Sequence, residues 1–290
     1  MNFFQTLVAA AVFSLTTVFA TGTQFHAIAS EQLFGWTWLP QSGPLLLALQ
    51  LGTGLGLFVH FRHDILSHLS SLLQIAIYRR KPTSIDEKVP LFLFISLGLF
   101  FLARHYLAPL LEPFYASMPS LTSVTAAVVG ASFVAITFLW IFSDSRSRRT
   151  KSMADWNLFD AFILGIGQAF SIIPGIDFIA SSVIFSQFRN YQREASYKYA
   201  GLCATWSLLL NAGFHSSDWR PPAASTAAAT DITLSQFWTI TGISLVLAAF
   251  GAGALIKTLE RGTFRTLFSY RIFILFFAPL VVWLKIRWLG

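Results

Sequence analysis

Polar and apolar positions along this chain fall into long apolar runs separated by short polar loops. Six stretches are apolar and long, or nearly long, enough to cross about 30 Å of hydrocarbon: residues 43–61, 90–110, 121–142, 199–214, 237–256 and 270–284. Two further apolar stretches, 3–20 and 161–188, fit a single crossing less well. The first runs into Thr21-Gly22-Thr23-Gln24, and the second is broken by Pro174-Gly175. A Pro-Gly pair ends a helix, leaving halves of about a dozen residues, too short to cross. Short broken helices suit re-entrant hairpins that line a cavity. A signal peptide is the other reading of 3–20, which has a small residue at Ala20 but lacks the positive start such peptides carry.

Composition supports the membrane reading. Charged residues make up 11% of the chain and apolar residues 55%, with 30 Phe and 9 Trp. A soluble globular chain carries about 25% charged residues. Cys203 is the sole cysteine, so no intrachain disulfide can form. The net charge of +7 would suggest nucleic acid in a soluble protein. Here it reports orientation, because Lys and Arg collect in cytoplasmic loops, and no nucleic-acid partner is expected.

The loops test this map. Residues 62–89 carry Arg62, Arg79, Arg80, Lys81 and Lys88, and residues 143–160 carry Arg146, Arg148, Arg149 and Lys151. Residues 21–41 and 111–120 contain no Lys or Arg. If 161–188 returns to its own side, 189–198 and 257–269 fall inside with their basic residues, and 215–236 falls outside with only Arg220. A single crossing there would invert every later loop against the charge rule. The expectation is an all-α polytopic protein with six transmembrane helices, two re-entrant pairs and both termini outside the cytoplasm. It forms one membrane domain of two inverted repeats, 1–150 and 151–290. A faint match of 7–20 with 161–174 agrees. Inverted repeats whose broken helices meet mid-membrane are a known architecture for transport and substrate sites.

Three segments carry a family resemblance: LQLGTGLGLFVHFRHDIL at 49–66, AFILGIGQAFSIIPGIDFIASSVIFSQFRNYQREA at 161–195, and LFSYRIFILF at 267–276. Together they resemble the undecaprenyl-diphosphatase, or bacitracin-resistance, family. The resemblance implies a bacterial inner-membrane protein of six transmembrane helices plus two re-entrant pairs. It also implies removal of a phosphate from undecaprenyl diphosphate outside the cytoplasmic membrane.

The catalytic motifs of that family are altered here. Its first motif places two glutamates four residues apart ahead of Pro-Val-Ser-Ser-x-Gly-His. Aligned on His26, the glutamates fall on Phe13 and Thr17, the proline on Ala20 and the serines on Gly22 and Thr23. Its second motif, Pro-Gly-Thr-Ser-Arg-Ser-Gly, reads Pro174-Gly175-Ile176-Asp177-Phe178-Ile179-Ala180. Phosphoanhydride hydrolysis needs charge stabilisation on the phosphoryl oxygens, and carboxylates to hold a divalent cation or act as base. No Asp or Glu occurs in residues 1–30, so no register shift there restores the pair. The family's divalent cation is not expected.

Candidate phosphate-binding residues are therefore His26, Thr23, Thr17, Gly175, Asp177 and Arg104, with no residue assigned to catalysis or to a metal. His26 either donates to a lipid phosphate or is an ordinary interfacial residue. Asp177 at a hairpin tip either carries function or pairs structurally. Arg104 either replaces the arginine missing at Phe178 or snorkels to the outer interface. Arg271 is expected to anchor its helix at the inner interface. Gly52, Gly54 and Gly56 are expected to serve close helix packing. The leading function is binding or translocation of an isoprenoid lipid phosphate in envelope synthesis. The alternatives are an active diphosphatase with rearranged residues and a structural subunit of an envelope complex. The bilayer is a partner in every case, and a membrane-protein partner or a homodimer fits these readings as well.

Overall fold

A computed structural model describes residues 3–35, 43–79, 81–116, 123–215, 232–260 and 264–289. The described residues are helical, without strands. The helices are α1 (Phe3–Val18), α2 (Thr23–Phe34), α3 (Pro44–His60), α4 (Arg62–Tyr78), α5 (Ile85–Ala116), α6 (Ser123–Arg146), α7 (Leu158–Ala169), α8 (Phe178–Phe188), α9 (Arg193–His215), α10 (Leu234–Glu260) and α11 (Arg265–Leu289). Among the described residues, four stretches are long and apolar enough to cross a membrane: Glu87–Leu111, Ala126–Arg146, Leu234–Glu260 and Arg265–Lys285. They become five if α3 and α4 count as one broken span. The fourth crossing read from sequence, 199–214, lies in α9, which is not among them. Its Thr205, Ser207 and Asn211 are buried inside the protein, so this helix is more polar than one facing lipid.

The chain packs into two compact units, each drawing on both halves of the sequence. The first comprises Met1–His60, Ala204–Leu255 and Thr266–Gly290; the second comprises Phe61–Cys203 and Ile256–Arg265. In the first unit α3 approaches α10 closely. A Cβ at Gly52 would overlap the Thr241 carbonyl, and one at Gly56 the Leu245 carbonyl. Gly54 meets Leu208 and Leu209 of α9. The expected role of these three glycines is what the structure places there. Ser14 of α1 and Thr53 of α3 hydrogen-bond at 3.1 Å where both are fully buried.

In the second unit, α7 and α8 form a helical hairpin. Gly167 lies against Phe185, and the Phe170 and Phe185 rings are 5.4 Å apart. The chain enters and leaves this hairpin at one place. The Lys151 N–H donates to the Asn190 carbonyl at 3.0 Å, and the Gln192 N–H donates to Lys151 at 2.8 Å. Fully buried Asp160 receives Arg189 Nε at 2.6 Å, the Tyr191 hydroxyl at 2.6 Å and Lys151 Nζ at 3.5 Å. Burial, and then that bond to Asp160, pushes the Tyr191 hydroxyl far above its ordinary pKa. The two ends of this segment therefore lie side by side.

The basic loops converge within this unit. Asp144 takes Arg193 at 2.6 Å and Arg149 at 3.4 Å, Lys198 pairs with Asp64 at 2.7 Å, and the Arg193 guanidinium lies 5.8 Å from the Phe264 ring centroid. All four segments assigned inside by charge are thus linked to one another. One correction concerns the first. Residues 62–89, read as a loop, contain the 17-residue helix α4. Its apolar residues Ile65, Leu69, Leu72 and Ile75 recur at helical spacing, a period masked by the polar residues among them.

Candidate functional site

In the first unit the end of α1 and the start of α2 are joined by a turn with two left-handed residues, Ala20 (φ 52°) and Gly22 (φ 93°). Left-handed backbone disfavours a side chain with Cβ, so Ala20 needs external support. Arg271 supplies it. This arginine is fully buried and donates from Nη1 to the Ala20 carbonyl. That corrects the expectation of an interfacial anchor. The sequence gives no sign that a carbonyl 251 residues earlier is its partner.

The turn gathers hydroxyls. Thr16 hydrogen-bonds Thr23 at 2.9 Å, and Thr17 meets Thr23 at 3.3 Å. Thr16 was absent from the sequence-derived set, since its neighbour Thr17 stood at the motif position. His26 lies one turn into α2. Its Nδ1 is 2.8 Å from the Gly22 carbonyl, an obligate acceptor, so Nδ1 carries the proton. In neutral His26, Nε2 then accepts from the Tyr270 hydroxyl at 2.7 Å. The two rings are nearly parallel, with centroids 5.8 Å apart. The lone pair a general base would use is thus engaged by Tyr270. Phe13, at a family glutamate position, is 6% exposed and belongs to the apolar core.

In the second unit the α7–α8 turn holds Gly175 at φ 88°. A Cβ there would also lie 3.0 Å from the Val129 Cα and the Ser132 Cβ of α6, so glycine alone fits. Asp177 immediately precedes α8 in extended conformation, and its carboxyl does not cap that helix. Phe178, at the family's arginine position, packs edge-on against Phe100 of α5 with centroids 5.0 Å apart. Arg104 stands four residues beyond Phe100, on the same face of α5. Helices α5 and α7 advance together: the Ser96 hydroxyl donates to the Ala161 carbonyl at 3.0 Å, and Gly165 lies against Leu99. By that register Arg104 stands opposite Ala169 and Phe170, where α7 ends.

The candidates therefore fall into two sets. Thr17, Thr23 and His26 meet in the first unit, joined by Thr16 and Tyr270. Gly175, Asp177 and Arg104 share the second. A divalent cation needs several oxygen or imidazole donors. Among the described residues no group of three or more His, Cys, Asp or Glu comes together to hold one. The donors at the first turn are threonine hydroxyls and one imidazole, a set that does not fit such a cation.

Against known proteins, the model of the family described as bacitracin resistance protein BacA matches residues 7–277. The undecaprenyl-diphosphatase 1 of Corynebacterium jeikeium (strain K411) is 23% identical over 273 residues, covering 94% of this chain and 92% of that protein. The undecaprenyl-diphosphatase of Chlorobaculum tepidum is 24% identical over 219 residues, 70% of this chain and 71% of the relative. That of Bifidobacterium animalis subsp. lactis is 27% identical over 219 residues, 70% and 68% respectively.

Proposed function

Because this chain belongs to the bacitracin resistance protein family, we propose that it binds an isoprenoid lipid diphosphate in a bacterial inner membrane without the family's hydrolytic machinery. The relatives' name, undecaprenyl-diphosphatase, supplies the ligand class. One observation carries the loss of chemistry: Phe13 is buried among apolar side chains where a metal-binding or basic carboxylate would be needed. Each unit on its own offers phosphate-compatible groups. The first presents uncharged donors on a turn braced by Arg271. In the second, Arg104 stands one helical turn from Phe100, which packs on Phe178, and would return from a different helix the cation lost at Phe178. Asp177 is either a neutral acid donating to phosphate or a carboxylate offset by a cation.

The architecture proposed around these groups has six crossings, with α1–α2 and α7–α8 as re-entrant pairs in two inverted repeats and the termini outside. The meeting of Lys151 with Asn190 and Gln192 supports the second re-entrant pair, and the linked basic loops support a common cytoplasmic side. Translocation of the lipid between leaflets rests on fold-level analogy with inverted-repeat transporters.

Binding of a fluorescent polyprenyl diphosphate to purified protein tests the reading. Arg104→Ala should weaken binding about tenfold or more, as expected for loss of a charged hydrogen bond, while Arg104→Lys retains most of it. If Asp177 acts as a neutral acid, Asp177→Asn keeps affinity and removes its pH dependence between about pH 5 and 8. Undiminished binding in Arg104→Ala would refute the assignment of the cation.

A further inference from the structure

Helix α4 presents three different faces. Ile65 is buried, and His68, Leu72 and Ile75 are half-buried on the same side; this side packs on α5. Leu66, Leu69, Leu73 and Ile77 occupy the next sector, an arc of about 80° at 3.6 residues per turn. All four are strongly exposed, between 47% and 69%. The third sector is polar and exposed: His63, Ser67, Ser70 and Gln74. At 17 residues, with Arg62, His63, Asp64, His68 and Gln74 in it, α4 is too short and too polar to cross hydrocarbon alone. An apolar sector beside a polar one, on a helix packed against a spanning helix, suits the boundary between acyl chains and head groups.

Charge identifies what covers that sector. Exposed Arg62 stands at one end of α4, and exposed Arg79 and Lys81 follow the other. Asp64 is already paired with Lys198 at 2.7 Å, so the helix turns a net positive edge outward. A second copy would oppose like charges in either direction. Parallel α4 helices would place identical residues face to face, and antiparallel ones would set Arg62 against Arg79 and Lys81. Anionic lipid head groups complement the same edge, at about fivefold in lipid partition per basic residue. We propose that α4 is an in-plane anchor that seats its leucine sector in the leaflet on the basic-loop side and binds anionic phospholipid there.

The test uses the full-length protein in vesicles of phosphatidylcholine, alone or with phosphatidylglycerol. Single cysteines are introduced as Leu73→Cys or Gln74→Cys and spin-labelled. The unsubstituted protein, whose one cysteine, Cys203, is buried, serves as the labelling control. A label at 73 should collide with oxygen and be shielded from a water-soluble nickel chelate; a label at 74 should show the reverse. Phosphatidylglycerol should deepen the label at 73, and Arg79→Gln with Lys81→Gln should abolish that added depth. Leu69→Cys repeats the measurement should Leu73→Cys fail to fold. Equal nickel access at 73 and 74 overturns the proposal. So does a protected label at 73 with spin–spin broadening insensitive to phosphatidylglycerol, which would mark a second copy on this face.

Discussion

The two helical hairpins, α1–α2 and α7–α8, solve the same problem in different ways. Each turns the chain through left-handed backbone, at Ala20 and Gly22 in one and at Gly175 in the other. Hairpin α7–α8 braces itself: Asp160 near its start takes Arg189 and Tyr191 beyond its end. Hairpin α1–α2 has no acid within residues 1–30 and is braced by α11 instead. Arg271 donates to the Ala20 carbonyl, Tyr270 holds His26, and Lys285 donates to the carbonyls of Gln32 and Leu33 at 3.0 and 3.1 Å. The lysine satisfies carbonyls at the C-terminal end of α2, where the helix dipole favours a cation. At the α1–α2 turn, which carries no carboxylate, a main-chain carbonyl is the partner of the cation; the hairpin's one acid, Glu31, lies toward the far end of α2. A turn held in that way keeps its shape without an acidic side chain.

Removing the external brace should have the largest effect. Arg271→Ala deletes a buried charged donor and leaves a cavity, so we expect about 4 kcal/mol of destabilisation, read as a fall in thermal midpoint in detergent. Loss of the internal brace should cost less. Asp160→Asn weakens three contacts, but Arg189 and Lys151 keep 33% and 28% of their side-chain surface exposed. Solvent screening reduces the expected cost to about 2 kcal/mol. If Asp160→Asn proves the more damaging change, the contrast between the hairpins fails.

A smaller, pH-linked effect belongs to the turn before α7. The Asp155 carboxyl accepts from the Ser152 backbone N–H at 2.7 Å and from the Ser152 hydroxyl at 2.9 Å, and these bonds hold its pKa below the ordinary value of 3.8. A depressed folded-state pKa contributes stability that is present above the ordinary value and lost as pH falls through the folded one. The stability gap between wild type and Asp155→Ala should therefore be constant near neutrality and close only in that acidic window. A gap that widens on acidification would contradict it.

Much of this was legible in the sequence. Pro174-Gly175 marked the α7–α8 break because proline and glycine act locally, and the basic loops marked one side because charge is counted without coordinates. The contacts of Arg271 and Tyr270 were not legible, since their partners lie roughly 250 residues away in the chain. Thr16 was missed because motif alignment selects one position, whereas hydroxyls on consecutive residues both reach the turn. Helix α4 was hidden because an amphipathic helix among basic residues has the composition of a loop. Arg104 was a candidate from sequence alone; what the structure adds is that Phe178 packs on Phe100, one helical turn from Arg104.

The central claim is that this family member retains lipid-phosphate binding while the chemistry at Phe13, Thr17 and Phe178 is gone. Phosphate release from undecaprenyl diphosphate by purified protein, alongside an intact family member and with binding confirmed on the same sample, tests it most directly. Loss of one charge-stabilising donor typically slows a reaction by about 100- to 1000-fold. With several replaced, the predicted rate is at least about 1000-fold below the intact relative. Turnover close to that relative, abolished by His26→Ala, would contradict the account.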